Sequence, residues 1–190
     1  MTGMAICRMA VMQRITGRIG KNGMQKGSMH MNDRKMVLDG MMGLVVGDAL
    51  GCPVQFLNRE ELRERGAVTE MEGYGTYNMP PGTWTDDSSM ALATLASINE
   101  RNGIDLRDIM ERFLDWEFHG AYTPFGEAFD EGNTCSNAIY KYRDSHDLAT
   151  CGETSEYSNG NGALMRILPV CLYFIQKEDI SDADALRQIH

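Results

Sequence analysis

The chain has 190 residues and a formal net charge of −9 at pH 7, with 43% hydrophobic and 24% charged residues. This composition is typical of a globular domain and excludes disordered, collagen-like and coiled-coil proteins. An acidic protein repels phosphate, so general nucleic-acid binding is excluded as well. We also expect no membrane partner, because no apolar run reaches the roughly 18–20 residues that a spanning helix requires.

The five cysteines are an odd number and include no C-x-x-C pair. This pattern argues against a disulfide framework or a zinc–thiolate site and is typical of a reducing compartment. We therefore predict a soluble, cytoplasmic protein.

Charge is distributed unevenly along the chain. Residues 1–35 carry seven basic side chains against one acid, whereas the rest carries 11 basic and 26 acidic side chains. We interpret residues 1–35 as a basic, methionine-rich leader, either disordered or the product of a start placed too far upstream, with an organelle transit peptide as the alternative. Residues 36–190 are interpreted as the N-terminal part of one domain.

The first half of that domain shows local signals for two helices and a loop. Dense apolar residues at helical spacing predict a helix over 35–50. Asn58 and Glu61 form a capping-box pattern that opens a short helix over 59–65. The segment 72–83 holds three glycines and two prolines and predicts an extended loop.

Four further helices are predicted, over residues 86–101, from Asp105 onward with Leu106 on its buried face, over 136–142 and over 163–176. Pro169 lies inside the last of these and is expected to kink it. Ser181 and Asp184 resemble the cap of one more helix, which His190 cuts short, so a longer domain is expected. No alternation of period two is long enough for a sheet, and the predicted fold is all-α.

Thr85, Asp86 and Asp87 stand where the glycine- and proline-rich loop meets a helix start. Two carboxylates and a hydroxyl offer hard oxygen ligands, which suit magnesium or manganese. The same residue types also satisfy the free N–H groups and the dipole of a helix N-terminus. A metal site and a simple helix cap are therefore both open interpretations.

Asp48 is the single acid in the apolar stretch 40–50. Burying an unpaired carboxylate costs several kcal/mol, so we predict a partner: a metal-bound water, a backbone N–H group or a cation. A role in a functional site and a purely structural hydrogen bond are both open.

Asn159, Gly160, Asn161 and Gly162 directly precede a predicted helix. Glycines in this position let backbone N–H groups approach a phosphate, and asparagine side chains can bind sugar hydroxyls. Gly132 stands in a similar segment before the helix over 136–142. Asn-Gly is also a common turn dipeptide, so an ordinary turn is the alternative.

Three segments in this order resemble the ADP-ribosylglycohydrolase family: GLVVGDALGCPVQF (43–56), GTYNMPPGTWTDDSSM (75–90) and EYSNGNGALMRILP (156–169). The resemblance covers roughly residues 36–176. It implies a compact, orthogonal multi-helix domain that hydrolyses the bond between ADP-ribose and an acceptor, which is arginine, serine or another sugar. The implied partner is an ADP-ribosylated protein or small molecule.

The resemblance also implies roles for individual residues. Thr85, Asp86 and Asp87 would be ligands of a centre of two magnesium or manganese ions, and Asp86, Asp87 and the nearby Asp48 would take part in catalysis. The residues implied to bind ADP-ribose are Gln55, Gly132, Asn159, Gly160, Asn161 and Gly162.

Two features depart from the family pattern. Gln55 stands where several members have a glutamate, and a glutamine cannot take up a proton. The remaining metal ligands of the family come from a D-x-D-[TS]-like motif near the C-terminus, and no such motif precedes His190. A non-catalytic relative that binds ADP-ribose or has a crystallin-like structural role is therefore an alternative. A magnesium-dependent nucleotide phosphohydrolase is less favoured, because its paired E-x-x-E helices are absent from the sequence.

Overall fold

The computed structural model describes residues 31–177 together with Ser181, Ala183 and Asp184. These described residues form seven α-helices and one 3-10 turn and contain no β-strand, which confirms the all-α prediction. The chain divides into two compact units, one ending at Thr85 and the other beginning at Asp86. Residues 1–30 of the predicted leader over 1–35 lie outside the described residues, whereas residues 31–35 belong to the first helix.

The first unit begins with helix α1, Met31–Gly51, which includes the predicted helix over 35–50. Met41, Val45 and Ala49 recur every four residues and are fully buried, so they form one face of the helix. A 3-10 turn, Cys52–Val54, follows α1 directly, and its Pro53 is also buried.

The segment Arg34–Val54 is long and apolar enough to cross a membrane, by length and composition alone, and is the one such segment in the described part of the chain. The expectation that no run approaches this length is therefore wrong. Two isolated acids, Asp39 and Asp48, interrupt the run, but its mean hydropathy stays as high as that of a membrane-spanning helix. Core helices of soluble proteins and signal sequences can have the same length and composition. Most of this segment is not buried.

Helix α2, Arg59–Arg65, has the predicted capping box. The Asn58 side chain accepts hydrogen bonds from the N–H groups of Glu60 and Glu61, and the Glu61 carboxylate accepts the N–H of Asn58 at 2.7 Å. Three backbone N–H groups of the helix start are thereby satisfied, which explains why a seven-residue helix with no buried residue forms here.

The predicted loop after α2 is confirmed, and it returns to the 3-10 turn. The Thr76 N–H donates to the carbonyl of Pro53 at 3.1 Å, and the Thr76 hydroxyl donates to the carbonyl of Gln55 at 2.6 Å. A Cβ at Gly75 would overlap the Pro53 backbone, so only glycine permits this approach.

The second unit contains five helices: α3 (Asp86–Arg101), α4 (Leu106–His119), α5 (Asn133–Ser145), α6 (Gly162–Met165) and α7 (Leu168–Ile175). Helix α3 packs against α4, α6 and α7, and α4 packs against α5. The main core lies between α3, α4 and α5 and consists of Met90, Ala93, Ile109, Phe113, Trp116, Cys135 and Ile139. Ile98, Val170 and Phe174 form a second cluster between α3 and α7.

Three details of this unit differ from the sequence predictions. Helix α5 extends three residues beyond the predicted 136–142 at each end. The predicted kinked helix over 163–176 is two helices, because Pro169 lies in the first turn of α7, where its missing N–H group costs nothing. Leu106, expected on the buried face of α4, is 61% exposed because it is the first residue of the helix.

Ser181 caps the next turn as predicted: its hydroxyl accepts the N–H of Asp184 at 3.2 Å. The helix expected to follow lies largely outside the described residues.

An ion network joins α3 to α4, in which Asp108 and Arg112 are largely buried and Glu100 and Arg101 are exposed. Arg112 donates to Asp108 at 2.6 Å, to Glu100 at 2.5 Å and to the hydroxyl of Tyr122 at 2.8 Å. Arg101 donates to the same Asp108 carboxylate at 2.6 Å. Burial acts to raise the pKa of Asp108, but hydrogen bonds from Arg112, Ser97 and Arg101 outweigh it and lower the pKa to about 2.

We predict that this network makes the second unit acid-sensitive between pH 4 and pH 2. Asp108 has a pKa below its ordinary value of 3.8, so its stabilising effect is complete above pH 4 and is lost as the pH falls toward 2. The loss should be roughly 2 kcal/mol in the free energy of unfolding, measured by urea denaturation across this pH range. Asp108→Asn should flatten the profile, whereas Asp115→Asn, which changes an exposed acid of α4, should leave it unchanged. The prediction would be contradicted if the free energy of unfolding changed equally with pH in Asp108→Asn and in the unaltered chain.

Candidate functional site

Asp86 and Asp87 occupy the first turn of α3, at the junction of loop and helix that the sequence predicts. Asp86 is buried, with 5% of its surface exposed, and Asp87 is half-buried. The free N–H groups and the positive end of the helix dipole favour the ionised form of carboxylates in this position. The turn therefore presents two oxygen-rich side chains at a partly covered helix start.

Thr85, the last residue of the first unit, is held by Asp48 of α1. The Asp48 carboxylate accepts the Thr85 N–H at 3.0 Å and the Thr85 hydroxyl at 2.9 Å. This confirms the prediction that Asp48 has a partner. One of its two partner groups is a backbone N–H group, which is one of the predicted kinds. Because the hydroxyl directs its proton toward Asp48, the lone pairs of its oxygen point elsewhere.

Gln55 follows the 3-10 turn in an extended conformation and is half-buried. Its carbonyl accepts the hydroxyl of Thr76, so the returning loop holds the backbone at this position. The first unit thus contains Asp48, Thr85 and Gln55, while the other predicted site residues belong to the second unit.

Helix α5 begins at a glycine. Gly132 is its N-cap residue, with φ −75° and ψ 142°, and makes no side-chain cap hydrogen bond. Glycine has no side chain with which to accept the N–H groups of the first turn, so this helix start lacks the usual capping oxygen. Such a start favours the binding of an anion.

The turn 159–162, here called the glycine turn, is seated against the first turn of α5. A Cβ at Gly160 would come within 3.0 Å of Thr134 Oγ1, and a Cβ at Gly162 would overlap Cys135 Sγ. The structure therefore brings together two glycine segments that the sequence predicts separately. Gly160 and Gly162 approach the side chains of Thr134 and Cys135 closely because neither glycine carries a side chain.

The two asparagines of the glycine turn are exposed. The side-chain amide of Asn159 donates to the carbonyl of Glu156, which orients it, and Asn161 is the N-cap residue of α6. Both side chains lie at the surface, a position that permits contact with a polar ligand.

We predict that Gly162→Ala destabilises the second unit by about 1–3 kcal/mol, because the added methyl group must displace the sulfur of Cys135. Urea denaturation measures this loss. Gly152→Ala is the matched control, since a Cβ at Gly152 meets nothing within 4 Å. The double variant Gly162→Ala with Cys135→Ala should recover much of the loss, and failure to recover would show that the contact with Cys135 is not the cause.

Arg166 and Cys135 also lie in this region, and the sequence did not predict a role for either in the site. Arg166 donates to Cys135 Sγ at 3.2 Å, directly beside the glycine turn. Arg166 ends the N-G-N-G-A-L-M-R segment, so its place in that segment was the available signal; nothing in the sequence pairs it with Cys135.

The side chains at the start of α3 are of types that can bind a divalent metal ion. Among the residues that the structure describes, no group of three or more His, Cys, Asp or Glu side chains is placed to hold a metal. Asp86 and Asp87 are hard carboxylate donors, as Mg²⁺ and Mn²⁺ prefer, and Thr85 adds a hydroxyl in sequence. The donor types fit such an ion, while the remaining ligands would have to come from water or other groups.

Comparison with known proteins identifies close sequence relatives. The chain is 35% identical over 133 residues to the ADP-ribosylarginine hydrolase Tri1 of Serratia proteamaculans, covering 70% of this chain and 35% of that protein. It is 38% identical over 136 residues to the ADP-ribosyl-[dinitrogen reductase] glycohydrolase of Rhodospirillum rubrum, covering 71% and 43%. The chain therefore spans less than half the length of these relatives.

A solved structure supports the same assignment. A chain of an ADP-ribosylglycohydrolase-related protein complex superposes with a TM-score of 0.56 and 36% sequence identity, covering 73% of this chain and 42% of that one. The family model for ADP-ribosylglycohydrolases matches residues 29–190. Because this match includes most of the sequence, the chain belongs to the ADP-ribosylglycohydrolase family.

Proposed function

We propose that this chain binds the ADP-ribose group of an ADP-ribosylated acceptor and takes part in hydrolysing the bond between the ribose and that acceptor. The observation that carries the proposal is the seating of the glycine turn on the uncapped start of α5. Membership of the family supports the reaction class, and the site supports the ligand.

The diphosphate of ADP-ribose is the part of the ligand that this surface suits best. The first-turn N–H groups of α5 and the backbone of the glycine turn provide donors and a favourable dipole for an anion. A protein with net charge −9 needs such a local site, since its overall field repels a doubly charged ligand. Gly132, Gly160 and Gly162 would allow close approach, and Asn159 and Asn161 would bind hydroxyl groups of the sugars.

An arginine acceptor is favoured among the candidates. One relative is named as an ADP-ribosylarginine hydrolase and another as acting on ADP-ribosylated dinitrogen reductase, which is a protein substrate. We extend the arginine acceptor to this chain as part of the proposal.

Thr85, Asp86 and Asp87 would hold magnesium or manganese. A bound divalent ion would supply Lewis-acid stabilisation of the reacting ribose and of an attacking water. Asp48 would act through Thr85, because its two hydrogen bonds fix the backbone and the hydroxyl proton of Thr85.

Gln55 fits the binding role better than a proton-transfer role. An amide side chain donates and accepts hydrogen bonds but does not titrate, so it would contact the substrate without acting as general acid or base. The acid–base function would then fall to Asp86 or Asp87.

The experiment is calorimetry of the purified chain with ADP-ribose, with and without Mg²⁺ or Mn²⁺, followed by chromatography of ADP-ribose released from an ADP-ribosylarginine peptide. Metal-dependent binding and release support the full proposal. Metal-independent binding without release would support the alternative of a non-catalytic ADP-ribose-binding relative. Absence of binding under all conditions would refute the proposed ligand.

A further inference from the structure

Arg166 makes an unusual set of contacts for a charged side chain. Its Nη1 atom donates to Cys135 Sγ at 3.2 Å and to Met90 Sδ at 3.8 Å. Its guanidinium lies over the ring of Phe113, 4.9 Å from the centroid. One side chain therefore reaches α3, α4 and α5 from the residue that directly follows α6.

These contacts connect the parts of the candidate site that lie in the second unit. Cys135 is in the first turn of α5, and Met90 follows Asp86 by four residues, on the same face of α3. Arg166 follows Gly162 by four residues, and a Cβ at Gly162 would lie 3.8 Å from Arg166 Nη1. Gly162, Cys135 and Arg166 are thus mutual neighbours.

The contacts of Arg166 are of a kind that can hold neighbouring segments in a fixed arrangement. In the described part of the chain the polar partners of Arg166 are sulfur atoms, which are weak acceptors, and its flat face rests on an aromatic ring. A guanidinium is a rigid, positively charged group, so it places its charge beside the start of α5 in a defined geometry. Lysine has the charge but neither the planar fork nor the stacking surface.

We infer that Arg166 is a positioning residue for the anion-binding surface. It sets the separation between the glycine turn and the first turn of α5, and so aligns the backbone donors of both segments for one ligand. This inference rests on the proposed function for the identity of the ligand, ADP-ribose, but the positioning itself can be measured without any ligand.

The first experiment measures ADP-ribose affinity by calorimetry for the unaltered chain, Arg166→Lys and a matched control, Arg143→Lys. Arg143 also stacks on two aromatic rings, those of Phe118 and Tyr140, but is exposed and distant in sequence from the glycine turn. Arg166→Lys should raise the dissociation constant for ADP-ribose about tenfold, because one rigid, stacked contact is lost. Arg143→Lys should leave it unchanged within about twofold.

The second experiment needs no ligand. Hydrogen exchange of the backbone amides should become faster in residues 133–136 and 159–165 of Arg166→Lys, and stay unchanged in α7 and in Arg143→Lys. Cys135→Ser keeps an acceptor for Arg166 and should preserve the slow exchange, whereas Cys135→Ala should resemble Arg166→Lys.

The outcomes separate this inference from the proposed function. If the unaltered chain binds no ADP-ribose but exchange accelerates in both segments of Arg166→Lys, the proposed function fails and the positioning role stands. If Arg166→Lys shows unchanged exchange in these segments, or binds ADP-ribose as tightly as the unaltered chain does, the inference is overturned.

Discussion

Replacing Asp86 and Asp87 together with asparagine will abolish saturable Mn²⁺ binding, and each single replacement will weaken it by at least about tenfold. An amide oxygen carries no charge and is a poorer ligand for a hard cation than a carboxylate oxygen. If the chain hydrolyses an ADP-ribosylarginine peptide, the same variants should lower the rate by about a hundredfold or more, because stabilisation present mainly in the transition state is lost. Isothermal calorimetry with Mn²⁺ and product chromatography are the two measurements.

The control for this experiment distinguishes metal binding from helix capping. Asp105 accepts the N–H groups of Arg107 and Asp108 at the start of α4, so it also stands at a helix N-terminus in the second unit. Asparagine caps helices about as well as aspartate, and Asp105→Asn should therefore change neither stability nor Mn²⁺ binding. If Asp86→Asn and Asp105→Asn behave alike, the helix-cap interpretation of the aspartate pair would be correct and the metal proposal wrong.

The largest loss of stability is expected from Arg112→Met. Arg112 has 13% of its side chain exposed, and it bonds Asp108, which has 10% exposed. Removing the guanidinium leaves the Asp108 carboxylate buried with its charge only partly compensated by Arg101. Breaking a buried ion pair from one side costs about 3–5 kcal/mol, and urea denaturation of the variant should show a loss in this range.

Two controls accompany Arg112→Met. Arg143→Met removes an exposed arginine that pairs with its neighbour Asp144, and this change should leave the free energy of unfolding nearly unchanged. The double variant Arg112→Met with Asp108→Leu removes both charges, so it should recover part of the loss. If the double variant is as unstable as the sum of the single ones, the two side chains do not act as a pair.

The local elements of this protein were predictable because their signals lie within a few residues. The capping box of Asn58 and Glu61 is hydrogen-bonded as the sequence predicts, and Asp105 caps the helix that was predicted to begin there. Each involves partners two or three residues apart, a separation that the backbone itself determines. The start and end of α3 were predicted to the residue for the same reason.

The prediction of one kinked helix over 163–176 failed because proline is compatible with two different positions in a helix. Pro169 was assigned to a helix interior, where it would produce a kink, but the chain uses it in the first turn of a new helix. The apolar pattern over 163–176 does not distinguish one kinked helix from two separate ones, because both bury the same residues. The break at Arg166 is what places that side chain against Cys135.

The sequence by itself determined the helical class, the limits of α2 and α3 and, through three ordered segments, the family. Only the tertiary structure decided which of those segments meet within each unit: Asp48 bonds Thr85 across 37 positions, and Gly162 and Arg166 reach Cys135 across about thirty. The physical reason is the range of the interactions. Backbone geometry brings residues three or four apart together in any helix, whereas a contact across dozens of residues exists only after the core has packed.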